Sequence, residues 1–179
     1  MLLSVKKILM SNEEFIFGLD KVGDGLILVS VTEPSKNQII PCYWRLKSEI
    51  GCPPLEIGIL QYAGDIINIT CFITSIAFSK PDFILPVDLN KSIQVDTKIF
   101  TKVNDFNDNN GTTKFFLYDK TLLCMFCDNL YDCKVIVKNQ LGFIIDNMNN
   151  MVGFALYNLS HEQVLMVNSL NDINKKLPL

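Results

Sequence analysis

Three times along this chain an apolar run meets a short turn rich in Gly, Asp or Asn and then a second apolar run, and this pattern limits the fold more than any other feature. Phe15 to Phe17 and Leu26 to Val31 flank Lys21-Val-Gly-Asp-Gly25. Leu55 to Leu60 and Ile66 to Ile73 flank Ala63-Gly64-Asp65. Phe143 to Ile145 and Val152 to Leu156 flank Asp146 to Asn150. Gly, Asn and Asp tolerate the positive φ of a tight hairpin, and short runs of Ile, Val, Phe and Tyr suit strands. The three hairpins share chemistry without a fixed spacing, so no solenoid is read from them.

Other extended stretches fit the same reading. Ile39-Ile40 and Cys42 to Leu46 come before Cys52-Pro53-Pro54, where proline removes ladder donors. Lys114 to Tyr118, Thr121 to Phe126 and Lys134 to Val137 are further strand candidates. Helical signal is confined to the end. Ser160-His-Glu-Gln163 has the spacing of a capping box, and Val164, Val167, Leu170, Ile173 and Leu177 recur at helical intervals. Lys175 and Lys176 suit a helix C-terminus. The polar run Asn104 to Gly111 reads as a mobile loop. The expected fold is α+β, mainly β: one domain over 1–179, with an antiparallel sheet of hairpins and a C-terminal helix.

Composition excludes several function classes. At 179 residues the chain is long enough to bury a core without staples. Its net charge is −3 and Arg45 is its one arginine, a poor match for a nucleic-acid binder, which must displace counterions from phosphate. No run reaches the about 18 uncharged apolar residues of a membrane helix. The N-terminus, broken by Lys6, Lys7 and Glu13, lacks the form of a secretion signal, so a cytoplasmic chain is expected. Its Asn-x-Ser/Thr triplets then carry no weight. Alanine occurs only at Ala63, Ala77 and Ala155 while Ile, Asn and Lys abound, the mark of an AT-rich gene.

No residue constellation points to catalysis. His161 is the one histidine and sits at a helix start, so a nucleophile–His centre would have to use it. No glycine-rich phosphate loop precedes a helix. Six cysteines (Cys42, Cys52, Cys71, Cys124, Cys127 and Cys133) without a secretion signal argue against a disulfide framework. Cys124-Met-Phe-Cys127 has C-x-x-C spacing but lies in an apolar run, so buried small hydrophobes are expected, with a zinc site or a redox pair as alternatives. Asp105, Asn107 and Asn109 imitate a calcium loop, yet Asn110 and Phe116 replace its glycine and closing glutamate. No metal, cofactor or enzymatic activity is therefore expected.

Acidic residues gather near turns: Asp20, Asp24, Asp65, Asp105, Asp108, Asp119, Asp128, Asp132 and Asp146. Asp favours turns for local reasons. The alternative is an acidic rim that faces a basic partner and speeds association. On that reading Asp105, Asp108, Asp128 and Asp132 are candidate contacts, with Trp44 and Tyr131 as aromatic anchors; the alternative is that Trp44 belongs to the core and the 104–111 loop is idle.

Two stretches resemble bacterial immunity proteins, the cytosolic antidotes of contact-dependent growth inhibition and related polymorphic toxin systems. One is Pro54 to Ile59 with Gly64 to Thr70, and the other is Leu141 to Asp146 with Val152 to Glu162. The resemblance implies a β-rich core, a last short helix and a partner: the cognate toxin domain, often a basic nuclease. It carries over no individual site residue. Two other classes remain open, a structural or assembly protein such as a phage or virus component, and a small enzyme with a dispersed site.

Overall fold

A computed structural model describes residues 1–12, 14–48, 53–77, 87–127 and 132–174, with side chains to 170. The fold is α+β, mainly β. In chain order its strands are β1 (Leu3–Met10), β2 (Ile16–Gly23), β3 (Leu26–Thr32), β4 (Cys42–Lys47), β5 (Leu55–Ile59), β6 (Ile66–Ile73) and β7 (Val87–Leu89). There follow β8 (Lys91–Val95), β9 (Phe106–Asn110), β10 (Lys114–Tyr118), β11 (Thr121–Met125), β12 (Lys134–Lys138), β13 (Leu141–Ile145), β14 (Asn150–Leu156) and the helix α1 (His161–Asn174).

The strands form two sheets where one antiparallel sheet was expected. The first has the order β2-β3-β6-β5-β4-β9. The second has the order β10-β11-β14-β13-β12-β7, and β1 joins β14 to β8. Two pairings are parallel, β4 with β9 and β7 with β12. All three expected hairpins form, as β2–β3, β5–β6 and β13–β14. Their turns use positive φ at Gly25 (77°), Gly64 (80°) and Asn149 (60°). Among the described residues every non-glycine with positive φ is Asn or Asp. The short Asn or Asp side chain lowers the penalty that other residues meet there, so the abundant Asn serves the many turns.

Alternation decides what each strand buries. Ile27, Val29 and Val31 of β3 face inward, as do Cys42, Trp44 and Leu46 of β4 and Ile57 and Ile59 of β5. They join Leu122, Phe143, Phe154 and Leu156 of the second sheet in one apolar cluster. Strands β13 and β14 are buried almost throughout because the second sheet has a further apolar cluster, which includes Val135, Val137, Ile144 and Val152. The helix closes one end of the core through Val167 and Leu170. Its capping box is reciprocal: the Gln163 amide donates to Ser160 Oγ at 3.2 Å, and the Ser160 amide donates to Gln163 Oε1 at 2.9 Å. The expected positions Leu177, Lys175 and Lys176 lie outside the described residues.

The segment 104–111, expected as a mobile loop, holds a strand instead. Tyr43 N donates to Asp105 O at 2.8 Å, Gly111 N donates to Lys47 O at 3.0 Å, and Phe106–Asn110 runs between them in parallel register with β4. A sheet edge tolerates polar residues on a strand because one side of that strand meets water, and the β4 backbone supplies the ladder that local propensity did not predict. The strands β1, β7 and β8 likewise went unread: β1 finds its partner β8 more than eighty residues away in sequence.

Candidate partner-binding surface

The outward face of the first sheet carries a linked group of polar and charged side chains. Cross-strand registers line up Gly18, Ser30, Thr70, Glu56, Arg45 and Asp108 in one row over all six strands. The row is small and neutral on β2, β3 and β6, and alternates carboxylate, guanidinium, carboxylate on β5, β4 and β9. Arg45 Nε donates to Asp108 Oδ1 at 2.6 Å, and its NH1 lies 3.8 Å from Glu56. Lys47 Nζ donates to the other Asp108 oxygen at 2.5 Å.

The neighbouring row ends in two aromatic rings. Tyr43 stacks on Phe106 with centroids 5.6 Å apart and planes at 12°, and the Arg45 guanidinium lies 4.3 Å from the Phe106 centroid. Next to them Gly58 leaves room for Asn68, whose Oδ1 accepts from Gly58 N at 3.1 Å. The β-alternation that buries Cys42, Trp44 and Leu46 is what turns Tyr43, Arg45 and Lys47 outward. Arg45 is thus held by a carboxylate on each side and a ring beneath it. Two cations against two carboxylates leave the group close to neutral, which does not suit a polyanion.

The expected contact residues fare differently. Asp108 belongs to this group. Asp105 lies at the start of β9, but its carboxylate accepts from Thr101 N (2.7 Å), Thr101 Oγ1 (2.9 Å) and Phe106 N (3.0 Å), the geometry of a turn cap. Those Thr101 bonds hold its pKa below the ordinary 3.8. Trp44 is a correction: it is 1% exposed, packs on Phe126 and donates from Nε1 to Met1 O at 3.1 Å. Its large apolar ring went to the core, so no surface presents it as an anchor. Asp132 stands exposed in the turn before β12, in the second sheet. Asp128 and Tyr131 lie outside the described residues.

Other acids are also engaged locally. Asp65 pairs with Lys36 at 3.0 Å and accepts from Gln94, and Asp146 caps its turn through Met148 N and Asn150 N. These contacts favour the turn-forming reading of the acids over a free rim. Arg45, Tyr43 and Phe106 were missed as site residues. The available signal was the Tyr43-x-Arg45-x-Lys47 alternation, which puts the one arginine on the polar face of a strand.

The Asp108 pairing has a pH consequence. Hydrogen bonds from Arg45 and then Lys47 lower its pKa from the ordinary 3.8. A depressed carboxylate stabilises the fold above its unfolded pKa, and the contribution is lost as pH falls through the folded value. The side chain is 40% exposed, so solvent screens the pair. Asp108→Asn is expected to cost about 1 kcal/mol or less at pH 7. Urea titrations should show the gap to wild type closing as the pH drops below 3.8.

Two of the thiols, Cys124 and Cys133, are held back from ionising. Burial, and then the neighbouring Cys71 thiol, push Cys124 well above the usual cysteine range. Burial also raises Cys133. A raised pKa disfavours the thiolate that attack or metal binding requires. Among the described residues no group of three or more His, Cys, Asp or Glu side chains could hold a metal ion, and no helix is long and apolar enough to cross a membrane. No family model matches the chain, and no curated protein matches it.

Proposed function

We propose that this chain is a cytoplasmic protein-binding module that neutralises a cognate toxin domain, as an immunity protein does. The observation that carries the binding function is the Arg45 group on the open sheet face. Arg and Tyr are enriched among residues that dominate binding energy. Here Arg45 is held by Asp108, Glu56 and Phe106, so little side-chain freedom remains to be lost on binding. Its Nε–H is engaged by Asp108, and the terminal N–H groups can meet a partner's carbonyl or carboxylate. The toxin as partner is supported by the resemblance of the second and third hairpins to immunity proteins. The net charge of −3 favours encounter with a basic domain.

Growth rescue provides the test. Co-expression with the toxin domain encoded beside this gene should protect the host. Arg45→Ala with Phe106→Ser should weaken the complex by about tenfold or more, the effect of losing a true hot spot. Both side chains lie outside the core, and the fold of the variant is checked by circular dichroism. A double variant that binds and protects like wild type would falsify the assignment of this face. Failure of the wild-type chain to protect against any neighbouring toxic gene product removes the immunity reading itself.

A further inference from the structure

The first sheet ends on β9 with half of that strand's backbone unused. Tyr43 N donates to Asp105 O and Gly111 N donates to Lys47 O, so residues 105, 107, 109 and 111 turn their backbone groups to β4. Phe106, Asp108 and Asn110 turn theirs the other way, past the last strand of the sheet. Phe106 N donates to the Asp105 carboxylate at 3.0 Å. The amides of Asp108 and Asn110, and the carbonyls of Phe106, Asp108 and Asn110, meet no strand among the described residues. Such a row is a template for another strand unless something guards it. The other ends of the two sheets are guarded. On β2 a bulge between Lys21 and Gly23 lies beside the exposed Lys21–Asp24 pair. Ala77 N closes on Phe115 O of β10 at 2.8 Å, and β7 is three residues long. By contrast β9 runs for five residues without a proline, a lysine or a bulge.

We infer that β9 takes an extended strand of a partner protein along this edge, antiparallel, with a Lys or Arg opposite Asp108 and an apolar side chain opposite Phe106. The main chain supplies the attachment and the alternate side chains select the sequence. The row Glu56, Arg45, Asp108 alternates in sign and reaches the edge on a carboxylate, while both cations, Arg45 and Lys47, stand one strand further in. A carboxylate offers about four lone-pair sites, of which Arg45 and Lys47 use two. The side chain is 40% exposed, so an added cation can reach it. A partner carboxylate in the same place would face a like charge directly across the ladder. Two residues away the Phe106 ring, 47% exposed, offers an apolar surface to the same side of the incoming strand. A second copy of this chain fits less well. The self-pairing that makes the most bonds, centred on Asp108, sets that carboxylate against its own copy and Phe106 against Asn110. The inference rests on the reading of the Arg45 face as a binding surface and specifies how a partner meets its rim; it needs no toxin.

The test uses the full chain, ¹⁵N-labelled, titrated with a backbone-cyclised β-hairpin whose binding strand reads Thr-Ser-Lys-Thr-Val, with the Lys N–H turned outward. One comparison hairpin has Glu in place of Lys, and another is N-methylated at Lys, which removes the donor to Asp108 O. The Lys hairpin should give saturable shifts and slowed hydrogen exchange at the amides of Asp108 and Asn110. The Glu hairpin and the N-methylated one should each bind about tenfold more weakly or worse. Asn110→Pro removes an outward N–H and leaves the bonds to β4 in place, so it should weaken the Lys hairpin about tenfold with an unchanged circular dichroism spectrum. Asp108→Asn should abolish the preference for Lys over Glu and keep the effect of N-methylation. Absence of saturable shifts at Asp108 and Asn110 overturns the inference, as does equal binding of the Lys and Glu hairpins or indifference to N-methylation. Saturable shifts at Tyr43 and Arg45 without protection of Asp108 and Asn110 show that the face binds and strand addition alone fails. Self-association lost in Asn110→Pro, without hairpin shifts, gives the edge to a second copy and overturns the inference too.

Discussion

Trp44→Ala should destabilise the fold by about 3–5 kcal/mol, the range for deleting a large buried aromatic. The ring is 1% exposed at the centre of the shared core and packs 5.7 Å from Phe126, which in turn contacts Phe154. Truncation removes contact area from both sheets at once and leaves a void that neither sheet can close without moving its ladder. Domains of this kind have about 5–15 kcal/mol in total, so the loss approaches the stability margin. Urea unfolding followed by circular dichroism measures it. The midpoint should fall while the slope stays near that of wild type. Trp44→Phe keeps most of the volume and loses the bond to Met1 O, so its cost should be smaller, about 1–2 kcal/mol. A Trp44→Ala protein as stable as wild type would show that the ring is not where the two sheets are held together.

Gly64→Ala should cost about 3 kcal/mol or more, from two sources that add. The residue has φ +80°, where a side chain costs about 1–2 kcal/mol. A Cβ there would also lie 2.3 Å from Val95 O, a backbone atom that cannot rotate away. Overpacking of this kind adds about 1–3 kcal/mol. The site matters because the turn of the second hairpin touches the other sheet at this point: Val95 N donates to Gly64 O at 2.9 Å, and Asp65 bridges to Gln94. Gly25→Ala is the control. That turn has φ 77° and should lose only the conformational part, about 1–2 kcal/mol. Equal losses at the two glycines would show that β8 yields to the added methyl group.

Much of the local structure was legible because its causes are local. Positive-φ residues at Gly25, Gly64 and Asn149 close the hairpins that the Gly, Asp and Asn clusters announced. Ser160 and Gln163 cap each other because their spacing alone brings them together. The candidate surface was only partly legible. Asp108 was singled out for its charge, but its partners Arg45 and Lys47 lie more than sixty residues away in sequence and meet it only through the parallel register of β4 and β9. Trp44 was read as an aromatic anchor with a core position as the alternative, and alternation with Tyr43 and Arg45 decides for the inward face.

What the sequence by itself determined is therefore the alphabet of the fold: which runs extend, where they turn, and that the last segment carries the helix. Each follows from backbone sterics and side-chain period within a few residues. The tertiary structure alone decided that the strands divide into two sheets, that β1 reaches both β14 and β8, and that polar Phe106–Asn110 extends as an edge strand. These outcomes depend on backbone donors and acceptors supplied by distant strands. A single strand's pattern does not record its ladder partner, so the row that sets Arg45 between Glu56 and Asp108 exists only once the sheet is assembled.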